Sequence, residues 1–222
     1  MSSDDILKVV IVLAIAAFSV ILHELAHGIT AYFLGDKTAK YAGRLSLNPI
    51  KHIDPFMSIL VPVVLYLLNA PVFGAAKPVP ITPHNLKGKE WGMALVAIAG
   101  PLTNFLLALI AFLIGYFTGV LANSPNTDLA CFACIKFVHL NLGFLLFNLI
   151  PIPPLDGSRV LYAIAPDAVR EIMNKMEAYR FIIIYALIVI LGNVFSGFMA
   201  DGINGIINFF FTLVGAQGLW YN

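Results

Sequence analysis

The chain has 222 residues, of which 60% are hydrophobic and only 11% charged. A soluble domain is roughly half apolar and a quarter charged, so an ordinary water-soluble globule is excluded. Lys+Arg 13 against Asp+Glu 12 leaves a formal net charge of +1, which supplies neither a basic surplus for nucleic acid nor an acidic tail. The partner implied by bulk composition is lipid. At about 20 apolar residues per span there is room for roughly four to six crossings, all within one membrane domain over residues 1–222.

At the amino terminus Lys8 precedes the apolar run Val9 to Leu22. Asp4 and Asp5 are acidic and no small-residue cleavage site follows, so the run reads as a retained transmembrane helix and not a signal peptide. That helix spans about Ile6 to Leu34, contains no proline and stops at Gly35, a C-terminal cap residue. Residues 36–52 turn polar and alternating, with Thr38-Ala39-Lys40-Tyr41 and Arg44-Leu45-Ser46-Leu47 on either side of Ala42-Gly43; this pattern predicts a small β-hairpin. The apolar stretch Phe56 to Phe73 is interrupted by Pro62 and closed by Pro71.

A loop holding Gly74, Pro78, Pro80 and Pro83 leads into a predicted helix from Trp91 to about Gly119. A nearly uncharged loop near Asn123 to Thr127 separates it from a helix expected over about Cys134 to Ile150, which Pro151 ends. Residues 157–180 are mixed and charged, Phe181 to Ala200 is apolar, and Ile203 to Val214 is a final apolar piece too short to assign as a span. The two cysteines, Cys131 and Cys134, form one C-x-x-C with no second pair to complete a zinc site and no redox fold around it. They read as small apolar residues near a helix start.

Within the first helix lies His23-Glu24-Leu25-Ala26-His27, an H-E-x-x-H. Residues i and i+4 share a helix face, so both imidazoles can reach one metal while Glu24 addresses a water beside it; zinc suits this geometry. Ionisable groups in a lipid-spanning helix are costly and by default functional. A catalytic zinc needs a third protein ligand and one open position. Among the remaining carboxylates Asp156 stands apart, because it follows an apolar helix on the proline-stiffened turn Pro151-Ile152-Pro153-Pro154-Leu155. Helix capping is its alternative role, since Gly157 and Ser158 open a further helix.

H-E-x-x-H in a transmembrane helix, together with Asn148-x-x-Pro-x-x-Pro-Leu-Asp156-Gly, resembles the site-2 protease family of intramembrane zinc metalloproteases. Gly100-Pro-Leu-Thr-Asn104 resembles that family's G-x-x-x-N motif. His52-Ile-Asp54-Pro55 with Ala76-Lys77-Pro78-Val79-Pro80 resembles its compact bacterial and archaeal branch, which lacks a PDZ domain. The resemblance covers roughly residues 5–160. It implies one zinc bound by His23, His27 and Asp156, a general base at Glu24, and substrate-binding amides at Asn104 and Asn148. Interhelical hydrogen bonding is the alternative for both asparagines, and the favoured role for Asn141. His139 lies too far along its helix from Asp156 to share a metal, and His52 and His84 read as loop histidines.

The expected protein is therefore an all-α polytopic membrane protease with a small hairpin and a re-entrant or interfacial segment at Phe56 to Phe73. Its catalytic core would occupy about residues 5–160 and its C-terminal helices about 180–216. Its partners would be the bilayer and the transmembrane segment of a substrate, unwound and received by strand addition at the hairpin. A zinc carrier or scaffold is the rival reading, against which Glu24 stands because a carrier needs no base. Both chain exits bearing the ligands must face one side, where most basic residues also fall; the positive-inside rule makes that side cytoplasmic in a prokaryotic plasma membrane.

Overall fold

The computed structural model describes residues 2–55, 60, 61, 64, 67, 76–190 and 192–216. The stretch Phe56 to Phe73, expected to be re-entrant or interfacial, lies outside the described residues apart from scattered positions. The elements are helical throughout the described residues: α1 (Ser3–Phe33), α2 (Thr38–Tyr41), α3 (Lys89–Phe117), α4 (Leu129–Asn148), α5 (Asp156–Ile164), α6 (Asp167–Glu177), α7 (Arg180–Ile190) and α8 (Gly192–Leu213), with short 3-10 turns at Pro49–His52, Pro83–Asn85 and Val120–Ala122. Among the described residues three of them, α1, α3 and α4, are long and apolar enough to cross a membrane. With 22 residues α8 has the length, but Asn193, Asp201, Asn204 and Asn208 dilute it. An integral membrane protein follows from the three apolar helices.

The expected hairpin at Thr38 to Leu47 is not formed; Thr38–Tyr41 is a helical turn. Asp36 accounts for the difference, because its Oδ1 accepts the Thr38 N–H (3.0 Å) and hydroxyl (2.5 Å) and so nucleates the turn. Gly43, at φ +63, closes it: the Gly43 N–H meets the Lys40 carbonyl and the Arg44 N–H the Ala39 carbonyl, both at 3.0 Å. That pair of bonds is a Schellman motif. The same arrangement ends α1 at Gly35 (φ +107), where Gly35 and Asp36 N–H groups meet the carbonyls of Tyr32 and Ala31, as the sequence suggested.

The chain divides into two compact units. One comprises Met1–Ser19, Pro101–Asn148 and Asn193–Asn222. Its core is Ala108, Phe112, Val138, Leu142, Leu145, Ile207 and Phe210, drawn from α3, α4 and α8. The helix α4 starts at Leu129 and not near Cys134, because the Asp128 carboxylate caps it by accepting the N–H groups of Ala130 (2.8 Å) and Cys131 (3.1 Å). The apolar pieces Phe181 to Ala200 and Ile203 to Val214 are not separated at residues 200–203, which lie inside α8. Gly202 stays helical because it lets α8 approach α4: a Cβ there would lie 2.8 Å from Leu146 Cδ1.

The other unit comprises Val20–Gly100 and Leu149–Gly192. Ala31, Leu86 and Val96 form its small apolar core. Residues 76–87 form a strap bound to the C-terminal half of α1 and the segment after it. The fully buried Asp36 holds the strap, its Oδ2 accepting the Thr82 N–H (2.6 Å) and its Oδ1 the Asn85 amide (3.2 Å). The Lys87 N–H meets the Leu34 carbonyl at 2.8 Å, and Lys77 is tied at both ends, its N–H to the His52 carbonyl (2.9 Å) and its carbonyl to Arg44 Nη2 (2.7 Å).

Candidate metal centre

All three predicted ligands belong to this second unit. One helical turn of α1 separates His23 and His27, and both are buried at 7% exposure with their Nε2 atoms 3.0 Å apart. The His27 Nδ1–H donates to the Val96 carbonyl at 2.7 Å, which leaves the Nε2 lone pair facing inward. Such an outer hydrogen bond fixes the tautomer of a ligating imidazole. Asp156 is the first residue of α5, and its Oδ2 stands 3.2 Å from His23 Nε2 and 3.4 Å from His27 Nε2.

The three donor atoms thus form a triangle with edges of 3.0, 3.2 and 3.4 Å. Ligands about 2.0–2.1 Å from a tetrahedral zinc lie about 3.3 Å from one another, so the residues present fit that ion. The donor chemistry agrees. Two imidazole nitrogens in contact repel unless a cation or proton lies between them, and Asp156 Oδ2 is buried with no hydrogen-bond partner. The alternative of helix capping for Asp156 is not realised, since the N-cap of α5 is Leu155 and no side chain caps it.

Two glycines make the triangle possible. A Cβ on Gly100 would lie 2.5 Å from His23 Cε1 and from both Cε1 and Nε2 of His27, so α3 closes against the imidazoles only where it has no side chain. A Cβ on Gly157 would lie 2.2 Å from the Leu149 carbonyl oxygen, and its absence lets the Asp156 turn fold back on the chain that leaves α4.

Glu24, half-buried, does not join the triangle. Its Oε2 accepts the Val79 N–H at 2.8 Å. Val79 lies between Pro78 and Pro80, which carry no N–H, so this is the one backbone donor the strap can offer there. Gly28 allows the approach: a Cβ would meet Leu45 Cδ2 at 2.6 Å and Val79 Cγ1 at 3.0 Å. The sequence reading missed the strap and its anchor Asp36, although D-x-T is an Asx-turn signal and the P-V-P spacing isolates one donor.

The two asparagines belong to the first unit and differ from each other. Asn104 is fully buried and its amide donates to Asn141 Oδ1 at 2.9 Å; Asn141 in turn donates to Ser19 Oγ at 2.9 Å. This interhelical thread is the alternative role weighed for Asn104 and the role favoured for Asn141. Asn148 is half-buried at the end of α4, with its amide N–H on the Phe144 carbonyl at 3.0 Å. His139 bonds to the Ile135 carbonyl of its own helix at 2.9 Å. His52 is buried, Nε2 on the Ser46 carbonyl at 2.7 Å, and His84 is exposed.

Residues 10–137 match the model of peptidase family M50, a stretch that holds His23, Glu24, His27 and Asn104, with Asn148 and Asp156 beyond it. The chain is 43% identical over 173 residues to "Putative zinc metalloprotease YwhC" of Bacillus subtilis, covering 76% of this chain and 75% of that protein. It is 28% identical over 182 residues to "Putative zinc metalloprotease Rip2" of Mycolicibacterium smegmatis, covering 81% and 68%, and 29% identical over 213 residues to the Mycobacterium tuberculosis protein of that name, covering 94% and 76%. No solved structure matches the chain. With more than half its length under the family model and a 43% identical relative aligned over three quarters of both chains, the protein is a member of peptidase family M50, the site-2 protease family.

Proposed function

We propose that this protein is an intramembrane zinc metalloprotease that hydrolyses a peptide bond in or near the transmembrane segment of a membrane-protein substrate. The observation that carries the reading is the convergence of His23, His27 and Asp156 donor atoms within 3.4 Å of one another beside the helix that also bears Glu24. Zinc held there would polarise a carbonyl as a Lewis acid and acidify water. Glu24, one residue from a ligand, takes the proton of the attacking water and returns it to the leaving amine. The strap holds the Glu24 carboxylate through one N–H, so one oxygen is fixed and the other is left to work on that proton. A transmembrane helix must unwind before its amides can react, because each is hydrogen-bonded and shielded within the helix.

Strand addition at residues 38–47 is not carried forward, since Thr38–Tyr41 is a helical turn and no residue of the segment is in a strand. Asn148 is the candidate contact to the substrate backbone; Asn104 is buried and its amide donates to Asn141. The basic residues Lys37, Lys40, Lys51, Lys77, Lys87 and Lys89 support an active site toward the cytoplasm of a prokaryotic cell.

The test uses purified protein and a susceptible transmembrane peptide. Glu24→Gln should retain one zinc per chain and lose roughly 10²- to 10⁴-fold in turnover, while a chelator stops the parent. A Glu24→Gln variant that cleaves as fast as the parent would sink the mechanism and favour the carrier or scaffold reading.

A further inference from the structure

Two carboxylates, one on α1 and one just past its end, hold the strap at separate points. Near the start of the strap the Val79 N–H donates to Glu24 Oε2 at 2.8 Å. Three residues on, the Thr82 N–H donates to Asp36 Oδ2 at 2.6 Å, and the Asn85 amide follows on Asp36 Oδ1 at 3.2 Å. Asp36 is a fixed anchor: it is fully buried, its Oδ1 also accepts the N–H and hydroxyl of Thr38, and that hydroxyl lies 3.0 Å from the Thr82 hydroxyl. On the other side of Val79, Lys77 is tied through its N–H to the His52 carbonyl and through its own carbonyl to Arg44. The Val79 amide is therefore clamped from both directions, two residues from one tie and three from the other.

Folding alone asks only that the Val79 N–H find some acceptor. Here the acceptor is the carboxylate of the H-E-x-x-H, on a side chain that rotates about three torsions. Pro78 and Pro80 withhold the neighbouring donors, so the strap offers that carboxylate one N–H at one place. Val79 is also pressed in, 5% exposed, against the α1 position where Gly28 leaves room. We propose that Val79 is a positioning residue for peptide hydrolysis, with Asp36 as the anchor that acts through it: the Val79 N–H aims the Glu24 carboxylate, and that aim sets turnover without setting zinc or substrate affinity. The proposal rests on Glu24 being the general base. A base works only within hydrogen-bond reach of the proton it removes, so a Glu24 released to sample several rotamers is in place for only part of the time.

The test is steady-state cleavage of a susceptible transmembrane peptide by the full-length, zinc-loaded protein, with zinc content measured on each variant. The α-hydroxy acid analogue of valine, placed at position 79 by nonsense suppression, exchanges the N–H for an ester oxygen and keeps the side chain. It should lower kcat roughly 10- to 100-fold, with KM unchanged and one zinc per chain. Val79→Ala, which keeps the N–H and trims the side chain, should lose far less. Asp36→Asn, assayed below its melting range, should also lower kcat, and combining it with the ester should cost little beyond the ester alone, because both act through one contact. In a Glu24→Gln background the ester should change nothing further. An ester protein with the parent's kcat, or a faster one, overturns the proposal. So does an ester protein that loses zinc or structure, or one whose loss is all in KM, since Val79 would then serve the fold or the substrate. Multiplying losses in the Asp36→Asn combination overturn the anchoring by Asp36. Full activity in Glu24→Gln itself defeats the general-base reading instead, whatever happens at 79.

Discussion

Replacing Gly100 by alanine puts one methyl group where the imidazoles already stand. The new Cβ would lie 2.5 Å from His23 Cε1 and from Cε1 and Nε2 of His27, whereas ordinary contact needs at least about 3.4 Å. The rings or α3 must therefore move by roughly 1 Å, and ligand distances at a metal tolerate only about ±0.2 Å. Zinc affinity should fall by at least the roughly 10- to 100-fold seen when a supporting contact around a metal is lost. Thermal stability distinguishes this steric account from its absence. With no clash, Gly→Ala inside a helix stabilises by about 0.5–1 kcal/mol; with it, overpacking costs about 1–3 kcal/mol. Chelator competition measures the affinity and a thermal melt the sign. A Gly100→Ala protein that melts higher and holds zinc as tightly as the parent refutes the closeness of α3 to the ligands.

Other expectations address the strap, the asparagines and the orientation. Asp36→Asn should destabilise by about 1.5–3 kcal/mol, because a charged acceptor of hydrogen bonds from Thr38, Thr82 and Asn85 is replaced by a weaker one. Burial raises the Asp36 pKa, but those hydrogen bonds lower it more, so it sits below its ordinary 3.8. Its stabilisation is present above that value and lost as pH falls below it; the thermal midpoint below about pH 4 should therefore drop more steeply in the parent than in Asp36→Asn. Asn104→Ala should lower the thermal midpoint, by about 1 kcal/mol of stability, whereas Asn148→Ala should lower turnover with the midpoint nearly unchanged. Single cysteines at Lys51, Lys87 and Asn126, in a background lacking Cys131 and Cys134, should react with an impermeant thiol reagent on intact cells only at 126; labelling at 87 without 51 would mean that Phe56 to Phe73 crosses.

The cluster of His23, His27 and Asp156 was legible because its spacing is set by one helix and one stiff turn. H-E-x-x-H needs only the α-helical repeat to bring two imidazoles together, and Asp156 was distinguished by the prolines around it. Gly35 was legible for the same local reason. The turn at Thr38–Tyr41 was not, because four alternating residues are too few to separate a strand from one helical turn; Asp36 decided it with side-chain hydrogen bonds that reach the distant Thr82. The start of α4 turned on a cap by Asp128, and the continuity of α8 through Gly202 on tertiary packing, since a Cβ there would meet Leu146. Asn104 looks the same in sequence whether it meets a substrate or Asn141. Only the tertiary arrangement of its unit separates the two.

Zinc K-edge X-ray absorption on the purified protein, alongside metal content of ligand variants, addresses the centre itself. The parent should hold one zinc per chain in a four-coordinate shell of two imidazole nitrogens and oxygen, and His23→Ala, His27→Ala and Asp156→Ala should each lose it. A shell without imidazole scattering, or full zinc content in any of the three variants, would contradict the assignment.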